Sequence, residues 1–528
     1  MLKPFRRALG AALLAATLAT PALAQTTEIR AGMRAEPTID PHVLFLTTNI
    51  AYARHMFEAL VDFDADMNPI GVLATSWRTV DDTTWEFKLR QGVKFHDGSD
   101  FTAADVKFTV ERLPAIPNNP NSYVSAVRGV VGVDIVDAHT VRFRTDRPNP
   151  TLPKQMSIMS IVSHTAAAGA SPSDFASGKA AVGTGPYRFA SFAPGSQLVL
   201  TRFDGYWGGR RPWERITFRV ISSDASRISA LLAGDVDIVD FVPPTMLPTL
   251  QGNQAITVTT RPSARVIYLA ANQGPDRHPE ITDRNGAALD PNPLKDLRVR
   301  QAISMAIDRS AIARRTLEGM AEPASQMASP GILGYEPAIP VQEANVARAR
   351  QLLAEAGYAD GFGITVTCPN NRYIRDGEIC QVVGQFLTRI GLVAKVQTMP
   401  LAVFFPRIKA PNNEFALILA GWGNTSTAET DAVLSGVLHS FDTEKNLGTY
   451  NNANFSNPQV DALVERAITE MDEKKREAML REAIVAATTQ LGTIPLHVEK
   501  TAFAARRGIA YTPRIDERAM IMDATPAR

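Results

Sequence analysis

Three short apolar runs, Gly363 to Cys368 (GITVTC), Leu392 to Met399 (LVAKVQTM) and Phe415 to Trp422 (FALILAGW), have the length of strands. Between the first two lies Asp376 to Ile390, where Ile379, Val382, Val383, Phe386, Leu387 and Ile390 recur at the spacing of a helix with one buried face, and Gly391 follows as its stop. Strand, helix, strand at this spacing dictates a right-handed crossover and therefore a parallel sheet. Ligands of open parallel sheets sit outside the carboxyl ends of the strands. Those ends carry Pro369-Asn370-Asn371-Arg372-Tyr373, Pro400-Leu401 and Gly421-Trp422-Gly423-Asn424. Aromatic faces, amides and a guanidinium at one sheet edge make a wall for a small polar organic molecule. Trp422, at a strand end between two glycines, is better placed to line a cleft than to fill a core, because a buried indole N–H needs a partner.

The chain opens with Lys3, Arg6 and Arg7, an apolar stretch from Ala8 to Ala19, and Ala22-Leu23-Ala24 before Gln25, the pattern of a cleavable secretory leader over residues 1–24. Gln25 in place of a cysteine implies no lipid anchor, and no later run approaches the ~20 apolar residues that span a bilayer. About 500 residues remain, enough for two to four domains. With 55 basic against 54 acidic side chains and a net charge of +1, nothing points to nucleic acid or an anionic membrane as partner. The two cysteines, Cys368 and Cys380, sit at a strand end and in the following helix; a disulfide and two buried thiols are both open, and two cysteines alone make no metal site.

Elsewhere, Glu28 to Met33 reads as a strand and Asn49 to Leu60 as a helix. From Leu60 to Phe108 the period is two, with Thr84 to Leu89 (TWEFKL) set between Asp81-Asp82 and Asp97-Gly98 as strands joined by tight turns. Thr102, three before Asp105, caps a helix over Ala103 to Arg112. His96-Asp97 is no catalytic pair, because neighbours on a strand face opposite ways and Asp97-Gly98 is a hairpin turn. Gly183-Thr184-Gly185-Pro186-Tyr187 has two of the three glycines of a dinucleotide fingerprint and continues as strand, so it reads as a backbone crossing between domains. Ala225 to Ala233 is a helix stopped by Gly234, and Val236 to Phe241 and Val266 to Ala271 are strands. Pro291 to Gly319 is helical, with Asp308 and Ser310 offering the cap of a second helix. Val346 to Ala356 is a helix, Pro458 to Thr489 carries one apolar stripe, and Thr493 to Val498 closes as a strand. The chain has no G-x-S-x-G or H-E-x-x-H, and its 8 histidines are scattered singly, which argues against an exported hydrolase.

In order and spacing, ATSWRTVDDTTWEFKLRQGVKFHDGSDFTAADVKFTVER, GTGPYRF, YWGGRRPWERITFRVISSDASRISALLAGDVDI, LKDLRVRQAISMAIDR, ARQLLAEAGY and NFSNPQVDALVERA make a chain that resembles the extracytoplasmic solute-binding proteins of the peptide and nickel ABC-importer family, family 5 of that class. The resemblance covers the whole mature chain. It implies an α/β, two-lobed periplasmic binding protein fold of type II. Residues 25–67, 184–270 and 496–528 would form lobe 1, 68–183 its inserted subdomain and 271–495 lobe 2. Two strands crossing near Ala271 and Pro495 would be the hinge for closure on ligand. Peptide-type pockets of the family pair a tryptophan with an aspartate three residues later that takes the peptide's free amine. Trp422 matches the first, but Thr425 stands at the second with Asn424 before it, and a charged hydrogen bond is worth roughly 1.5–3 kcal/mol. Recognition of an ordinary free amine is thereby disfavoured unless Glu429 or Asp431 in the same loop substitutes. The resemblance also places Phe45, Leu46 and Thr47 on the pocket wall of the other lobe. On this reading Trp422 stacks on the ligand, Asn424 and Asn371 hydrogen-bond it, and Arg372, beside Tyr373, pairs with a carboxylate. The implied protein is a periplasmic monomer, not an enzyme and without a cofactor, whose partners are a peptide or small-molecule ligand and an inner-membrane permease. Alternatives within the family are a nickel, haem or metal-chelate receptor using histidines such as His439 or His55, and a receptor for an opine or sugar derivative. A peptide-binding envelope chaperone would share the same pocket.

Overall fold

The computed structural model describes residues 28–117, 119 and 122–527; the leader expected over 1–24 lies outside them. Two strands of uncommon length, Ile256–Ala271 (16 residues) and Ile494–Arg506 (13 residues), pair antiparallel and organise one 12-stranded sheet. Their register breaks between Pro262 and Val266, at a proline that has no N–H to give the ladder. On one side of the break the pair continues into Ile238–Val239, Glu28–Met33, Arg215–Val220, Gln197–Arg202 and Tyr187–Ala193. On the other it continues into Leu417–Gly423, Gly363–Pro369 and Val393–Met399.

The crossover read from the sequence is present. Gly363–Pro369 lies parallel to both Val393–Met399 and Leu417–Gly423, with the helix Asp376–Arg389 between the first two. The continuous apolar runs follow from burial on both faces. Ile267, Leu269 and Ala271 enter a core with Ile303, Ile379 and Leu387, while Val266, Tyr268 and Ala270 enter another with Val437, Val464 and Ile484. Cys368 and Cys380 form a disulfide that ties the strand end to this helix.

A third core, with Met33, Tyr52, Phe57, Leu198, Phe218 and Phe503, lies on the far side of the break. Next to it a separate four-stranded antiparallel sheet orders Ala74–Asp81, Thr84–Leu89, Thr140–Thr145 and Val130–Asp137. Its alternation puts Phe87, Val141 and Phe143 inside, while Arg78 and Arg142 both reach Glu86 at 2.8 Å. The capping box forms as expected, with Thr102 and Asp105 closing the start of Ala103–Arg112. Asp97-Gly98 is a turn, and the His96 ring bonds the Gly185 carbonyl and the Gly183 N–H.

Four boundaries differ from the sequence reading. The first helix is Thr47–Arg54 and stops well short of Leu60, because the carbonyls of His55 and Met56 are taken by the N–H groups of Tyr187 and Gly185. The strand expected over Val236 to Phe241 is only Ile238–Val239, since the buried Arg227 takes the carbonyls of Asp240 and Phe241. The stripe over Pro458 to Thr489 is two helices, Pro458–Ala467 and Glu473–Thr489, the second capped by Asp472. After Asp308, which caps Arg309–Ala311, the chain widens into a π-turn over Ile312–Thr316.

Candidate functional site

Where the two halves of the large sheet meet, a cleft of about 1490 Å³ opens, lined from one side by Arg34, Phe45, Leu46 and Thr47 and from the other by Arg372, Tyr373, Trp422 and Thr425. Its floor is the broken stretch of the long strand pair, with Arg265 on one strand and Glu499 to Thr501 on the other.

Trp422 is the next-to-last residue of Leu417–Gly423, and its ring meets Tyr450 edge-on at 5.3 Å. Gly436 lies beside the indole, where an added Cβ would sit in ordinary contact with it at 3.4 Å. The indole Nε1–H is shielded yet has no acceptor among the described residues, a state that costs free energy until something accepts from it.

Tyr373 and Arg372 sit on a pinned loop. The N–H groups of both residues donate to Asp376 Oδ2, at 3.0 and 2.8 Å, and the Tyr373 hydroxyl accepts from the Gly421 N–H at 2.8 Å. The Arg372 guanidinium stands 5.2 Å over the Tyr373 ring and has no hydrogen bond or ion pair among the described residues. The loop is tied to the cleft floor by the Ile374 N–H, which donates to Glu499 Oε1 at 3.0 Å. Arg265 holds Glu517 with two bonds of 3.1 and 2.8 Å and approaches Glu499 at 3.6 Å. Burial pushes the Glu499 carboxyl up, against the pull of Arg265, while at Glu517 burial is outweighed by Arg265 and its carboxyl is held down.

Three residues of the expected set do not face the cleft. Asn371 is exposed, its Oδ1 accepting the Leu401 N–H at 2.8 Å, so it holds the loop together. Asn424 is fully buried: its N–H goes to the Ala264 carbonyl and its Nδ2 to the Met327 carbonyl at 3.0 Å. Glu429, the possible replacement anchor, is fully buried and compensated by Arg476 at 3.0 Å and Lys154 at 2.7 Å. Asp431 does border the cleft; burial and the neighbouring Glu429 push its carboxyl up to about 7, while the Thr427 hydroxyl donates to it at 2.6 Å. His55 and His439 lie elsewhere, buried and bonded to backbone, and no group of three or more His, Cys, Asp or Glu among the described residues is arranged to hold a metal.

The sequence reading missed Arg34 and Tyr450. Arg34 was findable by the rule that found Arg372, since it directly follows the carboxyl end of the strand Glu28–Met33. Tyr450 lies in a loop with no periodic signal.

A sequence profile described as bacterial extracellular solute-binding proteins, family 5 Middle, matches residues 68–445. The chain belongs to this family. The glutathione-binding protein GsiB of Escherichia coli (strain K12) is 28% identical over 473 residues, covering 88% of this chain and 87% of that one, and GsiB of Salmonella typhi matches at the same identity and extent. Among solved structures, HbpA2 from Haemophilus parasuis superposes with a TM-score of 0.78 at 22% identity, covering 95% of this chain and 100% of that one. AppA, the oligopeptide-binding protein from Bacillus subtilis in complex with a nonapeptide, gives a TM-score of 0.73 at 22% identity, covering 95% and 99%. These likenesses fix the two-lobed fold. Family 5 proteins are periplasmic receptors of ABC importers, a receptor family and not an enzymatic one. Among the described residues no helix is long and apolar enough to cross a membrane.

Proposed function

We propose that this receptor captures a carboxylate-bearing peptide or peptide-like small solute between its lobes and hands it to its permease, with Trp422 stacking on the solute and Arg372 pairing with its carboxylate. The observation that carries this is the pairing of two unspent polar groups on one wall: the Trp422 N–H and the Arg372 guanidinium, each without a partner among the described residues, at the carboxyl ends of neighbouring strands. One ligand acid and one ligand carbonyl satisfy both. Thr425 in place of an anionic anchor makes a cationic free amine the less favoured feature of the solute. Glutathione, named for the relatives at 28% identity, is a peptide with two carboxylates and belongs to the class that this wall fits.

In this proposal the leader over 1–24 directs export. The lobes are 25–67 with 184–270 and 496–528, carrying 68–183 as inserted subdomain, and 271–495. The protein acts as a monomer, without catalysis and without nucleic acid. Support for the last two comes from the balance of 55 basic and 54 acidic side chains and from His96, whose ring is committed to the backbone of Gly183 and Gly185. A metal would have to arrive already chelated, because the cleft offers no three-donor cluster among the described residues.

The test is native mass spectrometry of the mature protein purified from the periplasm, before and after gentle denaturation, followed by titration of the released compound. An acidic, amide-linked mass is expected, and Trp422→Ala should keep the wild-type circular dichroism while weakening binding at least tenfold. A metal chelate or a sugar derivative in the cleft, or an unchanged affinity in that variant, would overturn the proposed ligand class or the role of Trp422.

A further inference from the structure

Arg34 and Arg372 face the same cleft from opposite sides of the break in the long strand pair. Arg34 follows the strand whose Met33 packs with Phe218; Arg372 follows the strand whose Cys368 packs with Ile379. The Arg34 guanidinium lies over the Phe241 ring, 3.8 Å from its centroid, a contact that uses none of its N–H donors. The nearby carboxylate, Asp240, is committed elsewhere: it accepts the Arg34 backbone N–H at 3.0 Å and lies 3.6 Å from Nε of the fully buried Arg227. Burial depresses Arg34, Asp240 opposes that, and the charges of Arg227 and then Arg372 depress it further. Neither guanidinium has a hydrogen bond or ion pair among the described residues, and the acids at the cleft floor, Glu499 and Glu517, are held by Arg265.

From this arrangement we infer that Arg34 and Arg372 are two halves of one anion subsite, in which a single carboxylate of the solute is grasped from both lobes. This deepens the receptor reading and rests on it for the position of the solute. Two like charges facing each other oppose closure of the empty cleft. An oxyanion between them turns that repulsion into attraction, so the acid is both the recognised group and the signal to close. Planar guanidiniums suit this because each presents paired donors to one carboxylate. A neutral isostere leaves the repulsion in place and should be rejected.

The experiment uses the mature protein with glutarate and glutaramide, which match in size and differ in charge, at ionic strength balanced with sodium chloride. Melting temperature and the radius of gyration from small-angle scattering are followed. Glutarate should raise the first and lower the second, glutaramide should do neither, and Arg34→Met or Arg372→Met should each weaken the glutarate response at least tenfold. Arg34→Lys, which keeps the charge and loses the fork, should fall between. Equal responses to acid and amide, no response to glutarate at tens of millimolar, or an Arg34→Met variant that responds like wild type would each overturn the shared subsite. A co-purified ligand lacking any acidic group would overturn it and leave the receptor reading standing. A glutarate response dependent on Arg34 in a protein that retains and binds no larger solute would do the reverse.

Discussion

Thr425 tests how much of this cleft's selectivity a single side chain carries. It lines the wall beside Trp422, and the family resemblance implies an anionic anchor at this position in peptide-type pockets. Thr425→Asp should therefore raise affinity for peptides with a free amine by about ten- to a hundredfold, the equivalent of roughly 1.5–3 kcal/mol for a charged hydrogen bond. Calorimetry with a free peptide and its N-acetylated form reads this directly, and equal gains for both would show that the added carboxylate does not meet the amine. Asp431, six residues on, has a different destiny. Its carboxyl is pushed up to about 7 by burial and by Glu429, above the ordinary unfolded value near 3.9. A carboxyl raised on folding contributes stability that is fully present below the unfolded value and is lost as pH rises through about 7. Asp431→Asn should thus raise the melting temperature at pH 8 and do little at pH 5; the same increment at both would show that Asp431 is not protonated in the fold. The strand-end rule picked out Trp422, Arg372 and Tyr373. It could not show that Asn371 and Asn424 spend their amides on neighbouring backbone, or that Glu429 has two cations of its own, because those partners lie distant in the chain.

Elements buried on both faces were the legible ones. The run Phe415 to Ala420 has no polar residue because its alternate side chains enter different cores, and the helix Asp376–Arg389 has one clean apolar face. The long crossing strands were read only in part, over Val266 to Ala271 and Thr493 to Val498, because their middle sections floor the cleft and carry polar side chains such as Glu499, Lys500 and Thr501. A functional surface thus erased the pattern that would have revealed the strand. The sequence reads Gly183 and Gly185 as a backbone crossing between domains, and the structure gives a reason for the glycines themselves. A Cβ on Gly183 would stand 2.0 Å from the Met56 carbonyl oxygen, backbone against backbone, where no side chain can swing aside. Gly183→Ala should cost at least about 1–3 kcal/mol, as overpacking of an unyielding site does. Gly252→Ala, whose new methyl would come no closer than 3.4 Å to its neighbours at a negative φ, should be neutral or slightly stabilising. Chemical denaturation of the two variants decides it: a mild Gly183→Ala would mean that the incoming strand can shift.

At the scale of the whole molecule, the cleft loop after Trp422 is bracketed by the opposite side. Phe63 and Met67 pack against Ala428, the Ser157 hydroxyl reaches the Ser426 carbonyl at 3.4 Å, and Lys154 reaches Glu429 at 2.7 Å. Lys154 is also 3.5 Å from Glu473, so its charge ties its own segment both to the loop after Trp422 and to the start of the helix Glu473–Thr489. Only 14% of the Lys154 side chain is exposed and none of Glu429, which places the contact beyond easy screening by salt. On the receptor reading proposed above, this contact is expected to form when the lobes meet and to break when they part, which would assign it to the closed state. Lys154→Met leaves Glu429 compensated by Arg476, so the fold survives, but closure loses one buried charge pair. Affinity for the solute should drop by about tenfold, equivalent to about 1.4 kcal/mol. The loss should appear in the dissociation rate with the association rate unchanged, because ligand meets the open form first. Stopped-flow binding with wild type and Lys154→Met, at low and high salt, separates the possibilities. A slower association at unchanged dissociation would assign Lys154 to steering of the incoming anion, and equal kinetics in both proteins would remove the contact from the closing step.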